Sequence, residues 1–350
     1  MINRTNYRHV EEHLQYKDEI LLLKPATIKR TRSSLNHLLR WADETAIFEA
    51  HVIRPTFPAY LRDETKLSAD SVKRTLETAR AFLRWCAQEY PKRFGSQKLK
   101  HFINSLRIRL KPGRPQDRNP YTYNEVEEIA SLRTNRVTLT DFRDQAGIAL
   151  SFVSGMRIGA LVSMPIQVIN LEADPPEIRQ WRDLGVRTKF GKSATTFCVP
   201  LPILLSVIRE WDSYVRTRLP ETALWFAPLT RDGTALRGDE EANKNYDQRM
   251  RAGLKCLCKR ADIPYRRPHD LRHGHARYVR TNSRHPSTRE AIRYNLMHGT
   301  EDVTDIYLEA TYETARRVYA QLAPSTDSSS EKTELVQNIQ RQLDQLKEQL

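Results

Sequence analysis

Between Lys111 and Pro120 the chain reads Lys-Pro-Gly-Arg-Pro-Gln-Asp-Arg-Asn-Pro. Prolines at 112, 115 and 120, with Gly113 beside the first, deny the backbone both helix hydrogen bonds and a central-strand ladder. No single core can run through such a stretch. It predicts a linker over residues 111–120, with separate bodies before and after it. Lys111, Arg114 and Arg118 keep the linker basic, so it can lie along a polyanion. With 350 residues, the chain has enough length on both sides for two cores.

Residues 1–110 read as helical. From Thr27 to Asp43, Ile28, Leu35, Leu38, Leu39 and Ala42 recur at helical spacing, with Lys29, Arg30, Arg32 and Arg40 on other faces. From Ser71 to Tyr90 a second stripe collects Val72, Leu76, Ala79, Phe82, Leu83 and Cys86. Pro55 and Pro58 interrupt the pattern between them, and Pro91 closes the second helix.

Charge is concentrated in the same region. Residues 1–115 hold 23 Lys/Arg against 12 Asp/Glu, whereas residues 116–323 hold 31 against 26, within a formal net charge of +14. A basic helical body of this kind is expected to bind a polyanion through its phosphates. Lys29, Arg30, Arg32, Lys73, Arg74 and Arg114 are the candidate DNA contacts. The plainer alternative is a solvated, solubilising surface. An anionic membrane fits less well, because no basic helix has a strongly apolar opposite face. The absence of a run of about 18 apolar residues argues against a membrane span. The lack of an apolar leader at the amino terminus argues against secretion. Cys86, Cys198, Cys256 and Cys258 match neither a C-x-x-C pair nor a zinc pattern. They are expected as thiols of a reducing cytoplasm, with the protein associated with the nucleoid.

The second body, residues 121–323, opens at Thr122-Tyr-Asn-Glu125, a capping-box sequence. Ala146 to Val153 reads as a buried helical run. Ile166–Leu171, Gly185–Thr188 and Thr195–Val199 read as three short strands, with Gly191-Lys192 as the hairpin turn between the last two. Helical patterns resume over Leu204–Leu219, Asn243–Ala261 and Leu271–Arg280. The predicted fold is mainly α with a small antiparallel β-sheet: a helical amino-terminal domain followed by a mixed α/β domain. Residues 324–350 begin with a serine-rich tether. They end in a short amphipathic helix whose Val336, Ile339, Leu343, Leu346 and Leu350 suit packing on the protein's own body or pairing with a partner helix.

Several side chains of the second body suit phosphate chemistry. Arg157 follows Ser154-Gly155-Met156; Lys189 and Lys192 sit near the expected turn; His269-Asp-Leu-Arg272 is followed by His298 and, nine residues later, by Tyr307. Singly, each has an ordinary reading as surface charge or core aromatic. Together they offer a nucleophile, fixed cations and proton donors.

In that order these segments resemble the tyrosine recombinases, the phage-integrase family. Ser154-Gly155-Met156-Arg157-Ile158-Gly159 resembles the family's first arginine motif, and His269-Asp270-Leu271-Arg272-His273 its H-x-L-R-H box. Leu296-Met297-His298 with Tyr307 resembles its L-G-H…Y segment, and Thr188-Lys189-Phe190-Gly191-Lys192 stands where the family carries a hairpin lysine. The resemblance spans roughly residues 120–320, and residues 1–110 match the family's core-binding domain by pattern alone.

It implies a site-specific recombinase that cuts duplex DNA through a 3′-phosphotyrosyl bond and exchanges strands through a four-way junction. Tyr307 would be the nucleophile, Arg157 and Arg272 would grip the scissile phosphate, and Lys189 would protonate the leaving 5′-oxygen. His269 and His298 would bond the phosphate or move protons. The resemblance further implies no cofactor or metal, recombination sites on double-stranded DNA as partners, a homotetramer on synapsed DNA, and room for an accessory protein. Tyr294, Tyr312 and Tyr319 are rival nucleophiles, but none keeps the nine-residue step from His298.

The chain departs from the family pattern in two places. Ala160 stands where an acidic residue commonly follows the first arginine, and Met297 replaces the usual glycine before the late histidine. The stretch Asp174–Asp183 reads as an enlarged loop between the first two strands.

Three other functions share parts of this pattern. A type IB topoisomerase-like relaxing enzyme uses the same tyrosyl chemistry, and a DNA-binding relative that no longer cuts would keep the same folds. Metal-dependent hydrolysis would draw on His269, His273 and His275, although Arg272 between them would repel a cation.

Overall fold

The computed structural model describes residues 2–106, 119–132, 138–237, 246–297 and 305–322, without the side chains of 190 and 305–310. Most of the expected linker, with Arg114, lies outside the described residues, as does the 324–350 tail. The chain forms two compact units, Met1–Arg118 and Asn119–Leu350.

In the first unit, α1 (Arg4–Glu19), α2 (Pro25–Ala42), α3 (Phe57–Asp63), α4 (Ala69–Glu89), α5 (Pro91–Phe94) and α6 (Gln97–Ser105) pack into a bundle. The two predicted apolar stripes supply its centre: Leu35, Leu38 and Leu39 of α2 meet Leu76, Phe82 and Leu83 of α4, all essentially inaccessible to solvent. Helix α1 has no such stripe. Its buried face is Asn6, His9, Val10, His13 and Leu14, so polar side chains occupy the places where apolar ones would have announced it. Asn6 is satisfied there, donating to the Thr45 carbonyl and accepting from the Ile47 N–H. His13 instead packs edge-on against Phe82 and tilted against Trp85, and burial lowers its pKa to about 4, so it is neutral in the core.

The second unit is organised around α8 (Leu139–Ser154), in which every residue from Arg143 to Ser154 is buried. Against it pack α7 (Tyr123–Ser131), α10 (Pro202–Arg216), α11 (Tyr246–Arg260) and α12 (His269–Asn282). Helix α9 (Ile158–Leu161) follows α8 directly, and α13 (Thr288–Asn295) packs on α14 (Asp305–Ala320). The capping box at Thr122 is complete: its side chain accepts from the Glu125 N–H, and Glu125 accepts from the Thr122 N–H. Among the described residues, no helix is long and apolar enough to cross a membrane.

The antiparallel sheet has the order β1-β2-β3, with β1 at Ile169–Asn170, β2 at Glu177–Gln180 and β3 at Ala194–Phe197. This corrects the expected strand at Gly185–Thr188. The second strand lies earlier, inside the stretch read as a loop, and pairs Ile178 with Thr196 and Gln180 with Ala194. It escapes an apolar-period reading because Ile178 is its one apolar residue. The buried Gln180 amide is satisfied by the Thr196 hydroxyl at 2.9 Å. Gly185 and Gly191 adopt φ of +86° and +70°, conformations suited to turns. The connection from β2 to β3 is thus the whole of residues 181–193, rather than a tight turn at Gly191-Lys192.

Close approach of α12 to the segment before α7 sets a sharp steric requirement. A Cβ at Gly274 would fall 2.1 Å from the Tyr121 carbonyl oxygen and 3.0 Å from Phe152 Cε2. Backbone cannot yield as a flexible side chain can. Gly274→Ala is therefore expected to destabilise the protein by about 1–3 kcal/mol, read as a lowered midpoint in thermal unfolding. An unchanged midpoint would mean that α12 and Tyr121 are not in this contact.

Candidate active site

The first arginine is placed by a helix ending. Gly155 terminates α8 in the left-handed conformation, φ +63°, and Met156 and Arg157 turn the chain into α9. Arg157 is half-buried and, among the described residues, makes no side-chain hydrogen bond or ion pair; burial lowers its pKa. Ala160, in the next turn, is buried and carries no carboxylate to offset that charge. The Ser163 hydroxyl bonds the Gly159 and Ala160 carbonyls and accepts from the Arg187 N–H, closing the end of α9 without any acidic group.

Arg272 lies one turn into α12 and is 3% exposed. Its Nη1 donates to the Gly155 carbonyl at 2.7 Å and its Nη2 to the Leu296 carbonyl. One guanidinium thus ties the turn carrying Arg157 to the end of α13, just ahead of position 298. Burial, then the charge of Arg157, lowers its pKa to about 9, which still leaves it cationic at neutral pH. His269 opens α12. Although the residue is exposed overall, loss of solvation around the ring lowers its pKa, and His273, Arg272 and Arg157 add to this against an opposing Asp270. Arg157, His269 and Arg272 therefore occupy one electrostatic neighbourhood, where a bound anion would relieve the repulsion between the two guanidinium groups.

Lys189 is exposed in a short 3-10 turn, Lys189–Gly191, within the connection from β2 to β3, and Lys192 follows it half-buried. Both stand on the same segment, so the fold itself does not choose between them. His298 lies outside the described residues. Tyr307 is on α14, two residues after its start, with its side chain outside the described residues.

The three rival tyrosines are occupied elsewhere. Tyr312 donates to Glu177 of β2 at 3.3 Å and packs its ring on Phe197. Tyr319 is wholly buried and hydrogen-bonded to His275 at 2.7 Å. Tyr294 is half-buried against Tyr312, and burial raises its pKa to about 12.

The histidines considered as a metal cluster diverge. The rings of His269 and His273 meet edge to face at 4.5 Å, whereas His275 points into the core with both nitrogens engaged. Sequence reasoning missed that core role, and it missed Asn295 and Tyr319 as its partners. The one available signal was a histidine three residues after Arg272, on a helix whose apolar stripe is sparse.

Of the candidate DNA contacts, Lys29, Arg30, Lys73 and Arg74 are exposed on α2 and α4. Arg32 is held in a two-pronged ion pair by Glu11 of α1, which leaves it less free to meet a phosphate.

No family model matches the chain. It is 23% identical over 262 residues to the tyrosine recombinase XerD of Staphylococcus aureus strain MRSA252, covering 73% of this chain and 77% of that protein. It is 24% identical over 330 residues to the XerD of Staphylococcus haemolyticus, covering 90% and 98%. Among solved structures, it is similar to a lambda integrase fragment bound to DNA, with a TM-score of 0.55 and 15% identity over 88% of this chain and 96% of that one. XerH recombinase bound to its difH substrate gives a TM-score of 0.53 at 13% identity, covering 89% and 79%. The Tn1549 transposon integrase with circular-intermediate DNA gives 0.53 at 14%, covering 88% and 98%. A helical first unit, a second unit built on α8 with its small sheet, the motifs in order and these relatives agree: the chain has the fold of the tyrosine recombinases and is similar in sequence to members of that family.

Proposed function

We propose that this protein is a site-specific recombinase that cleaves and rejoins duplex DNA through a 3′-phosphotyrosyl intermediate. The observation that carries the reading is the pair of half-buried Arg157 and buried Arg272, with His269 beside them at the start of α12, without a carboxylate on Arg157 among the described residues. A desolvated cationic cluster of this kind is costly unless an anion completes it. The phosphodiester supplies one negative charge at rest and more in the transition state, where such donors are worth most.

In this mechanism the Tyr307 oxygen attacks phosphorus while Arg157 and Arg272 hold the non-bridging oxygens. The bond to the 5′-oxygen breaks as Lys189 delivers its proton. The phenol proton leaves to a base for which His269 is suited, because its lowered pKa keeps it neutral near pH 7. The new phosphotyrosyl ester conserves the energy of the broken bond. The 5′-hydroxyl of a partner strand then attacks it, releasing Tyr307, and two such rounds pass through a four-way junction. His298 would join the phosphate contacts. Lys29, Arg30, Lys73 and Arg74 would grip the backbone of the duplex, with Arg114 on the linker. A homotetramer on two synapsed sites, with an accessory protein biasing direction, would complete the assembly.

The test uses a duplex taken from the DNA flanking the gene, nicked beside the cleavage site so that the short released strand diffuses away. Incubation should give a protein–DNA adduct that survives denaturant and is lost on protease treatment. Failure to form an adduct on any nicked segment of that DNA, by protein that binds it, would overturn the proposal.

A further inference from the structure

Behind the cationic cluster lies a buried polar knot that the chemistry above does not use. His275, Asn295 and Tyr319 are each fully inaccessible to solvent. The proton positions follow from the partners. His275 Nδ1 lies 2.8 Å from the Phe152 carbonyl oxygen, which can only accept, so Nδ1 carries the proton. Nε2 is then the lone-pair nitrogen and accepts from the Tyr319 hydroxyl at 2.7 Å. Burial, with the charge of Arg272 opposing protonation, holds the imidazole neutral, its pKa lowered to about 3. Asn295 completes the knot. Its Nδ2 donates to the Ser154 carbonyl at 3.0 Å and the Phe197 carbonyl at 3.1 Å, and its Oδ1 accepts from the Phe197 N–H at 2.6 Å. The same Nδ2 lies 3.4 Å from His275 Nε2.

The sequence positions of these groups are informative. Phe152 and Ser154 end the helix that leads into Arg157. His275 is three residues after Arg272, and Asn295 three before His298. Phe197 is on the strand that follows the Lys189 connection, and Tyr319 is on the helix of Tyr307. Every segment holding a proposed reacting residue therefore sends one group into a single buried network. Gly155 shows how tightly it is set, since a Cβ there would lie 2.6 Å from His275 Cδ2 and 2.8 Å from Leu296 Cδ2.

We propose that His275 and Tyr319 are positioning residues, their hydrogen bond holding α14, and so Tyr307, in register with the arginine-bearing segments. The inference rests on the function proposed above. Stability alone would not call for such a network, because a core satisfied by apolar side chains of similar shape is generally as stable as one built on buried polar groups. A bond between two helices fixes direction as well as separation, and in-line attack on phosphorus needs both.

The test compares Tyr319→Phe and the double variant His275→Phe/Tyr319→Phe with the parent protein and with Tyr307→Phe. Thermal midpoint, affinity for the nicked duplex and the rate of adduct formation at saturating duplex are measured. The double variant removes both members of the His275–Tyr319 bond at once but leaves the Phe152 carbonyl without its donor, so it is expected to show a small fall in thermal midpoint and unchanged DNA affinity. In both Tyr319 variants the adduct rate should fall about tenfold or more, in line with the steep dependence of such reactions on geometry. An adduct rate within twofold of the parent in the double variant, or a fall fully accounted for by weaker DNA binding, would overturn the inference. If the parent forms the adduct and Tyr307→Phe does not, that result leaves the recombinase function standing. If the parent forms none, the function itself falls and the positioning role falls with it.

Discussion

Tyr307→Phe is expected to bind the nicked duplex with the parent's affinity and to form no covalent adduct. The change removes one oxygen from a residue on α14 and leaves the charge of the protein unaltered, so the cations proposed to grip the phosphate are untouched. Without that oxygen, the three rival tyrosines among the described residues are not disposed to replace it. The Tyr312 hydroxyl is turned to Glu177, and burial with that carboxylate raises its pKa, which opposes formation of a phenolate. Tyr319 is sealed in the core with its hydroxyl donating a hydrogen bond to His275, and its pKa is raised well above the ordinary phenol value by burial. Tyr294 is similarly held protonated. The adduct yield of Tyr307→Phe should therefore drop below detection on a denaturing gel, while a mobility-shift titration gives a curve superimposable on the parent's. A surviving adduct would show that another side chain attacks, and mapping the DNA-linked peptide would identify it.

How far this site could be read from the chain depended on what kind of signal each residue leaves. Arg157, His269 and Arg272 could be singled out because the roles proposed for them depend on chemistry and on order along the sequence, which a string of residues preserves. The strand at Glu177–Gln180 was not, since its inward side chains are Ile178 and Gln180, and a buried glutamine satisfied by Thr196 looks in the sequence like a polar loop. Helix α1 was hidden for a related reason, with Asn6, His9 and His13 on the face that a hydrophobic pattern would need. His275 is the sharpest case. Its spacing from His269 and His273 suggested a shared ligand, yet on α12 it faces the core while the other two meet each other. In all three instances the burial of a polar side chain depends on a partner far away in sequence, and no local period records that partner. Helices α2, α4 and α10, whose buried faces are apolar, were placed to within a few residues of their ends.

Arg272→Ala is expected to slow adduct formation by roughly a hundred- to a thousandfold, the scale of losing one donor to developing charge. It should also weaken the fold, and the two effects have separable origins. The guanidinium bridges the Gly155 and Leu296 carbonyls, so its removal leaves two backbone acceptors unpaired in a buried setting and opens the space the side chain filled. Against this, a desolvated cation beside Arg157 is itself costly, as the fall of its pKa to about 9 records, and its loss relieves that cost. The net destabilisation should therefore be modest, a small fall in the thermal midpoint, while the catalytic loss is large. Arg272→Lys separates the contributions further. It keeps a positive charge near the phosphate, but an ammonium on a flexible stem cannot span two carbonyls and a phosphate as a planar fork does. The lysine variant should retain DNA affinity and still cut far more slowly than the parent. Near-parental cleavage by Arg272→Ala, in protein that folds and binds DNA, would mean that the scissile phosphate sits somewhere other than between Arg157 and α12.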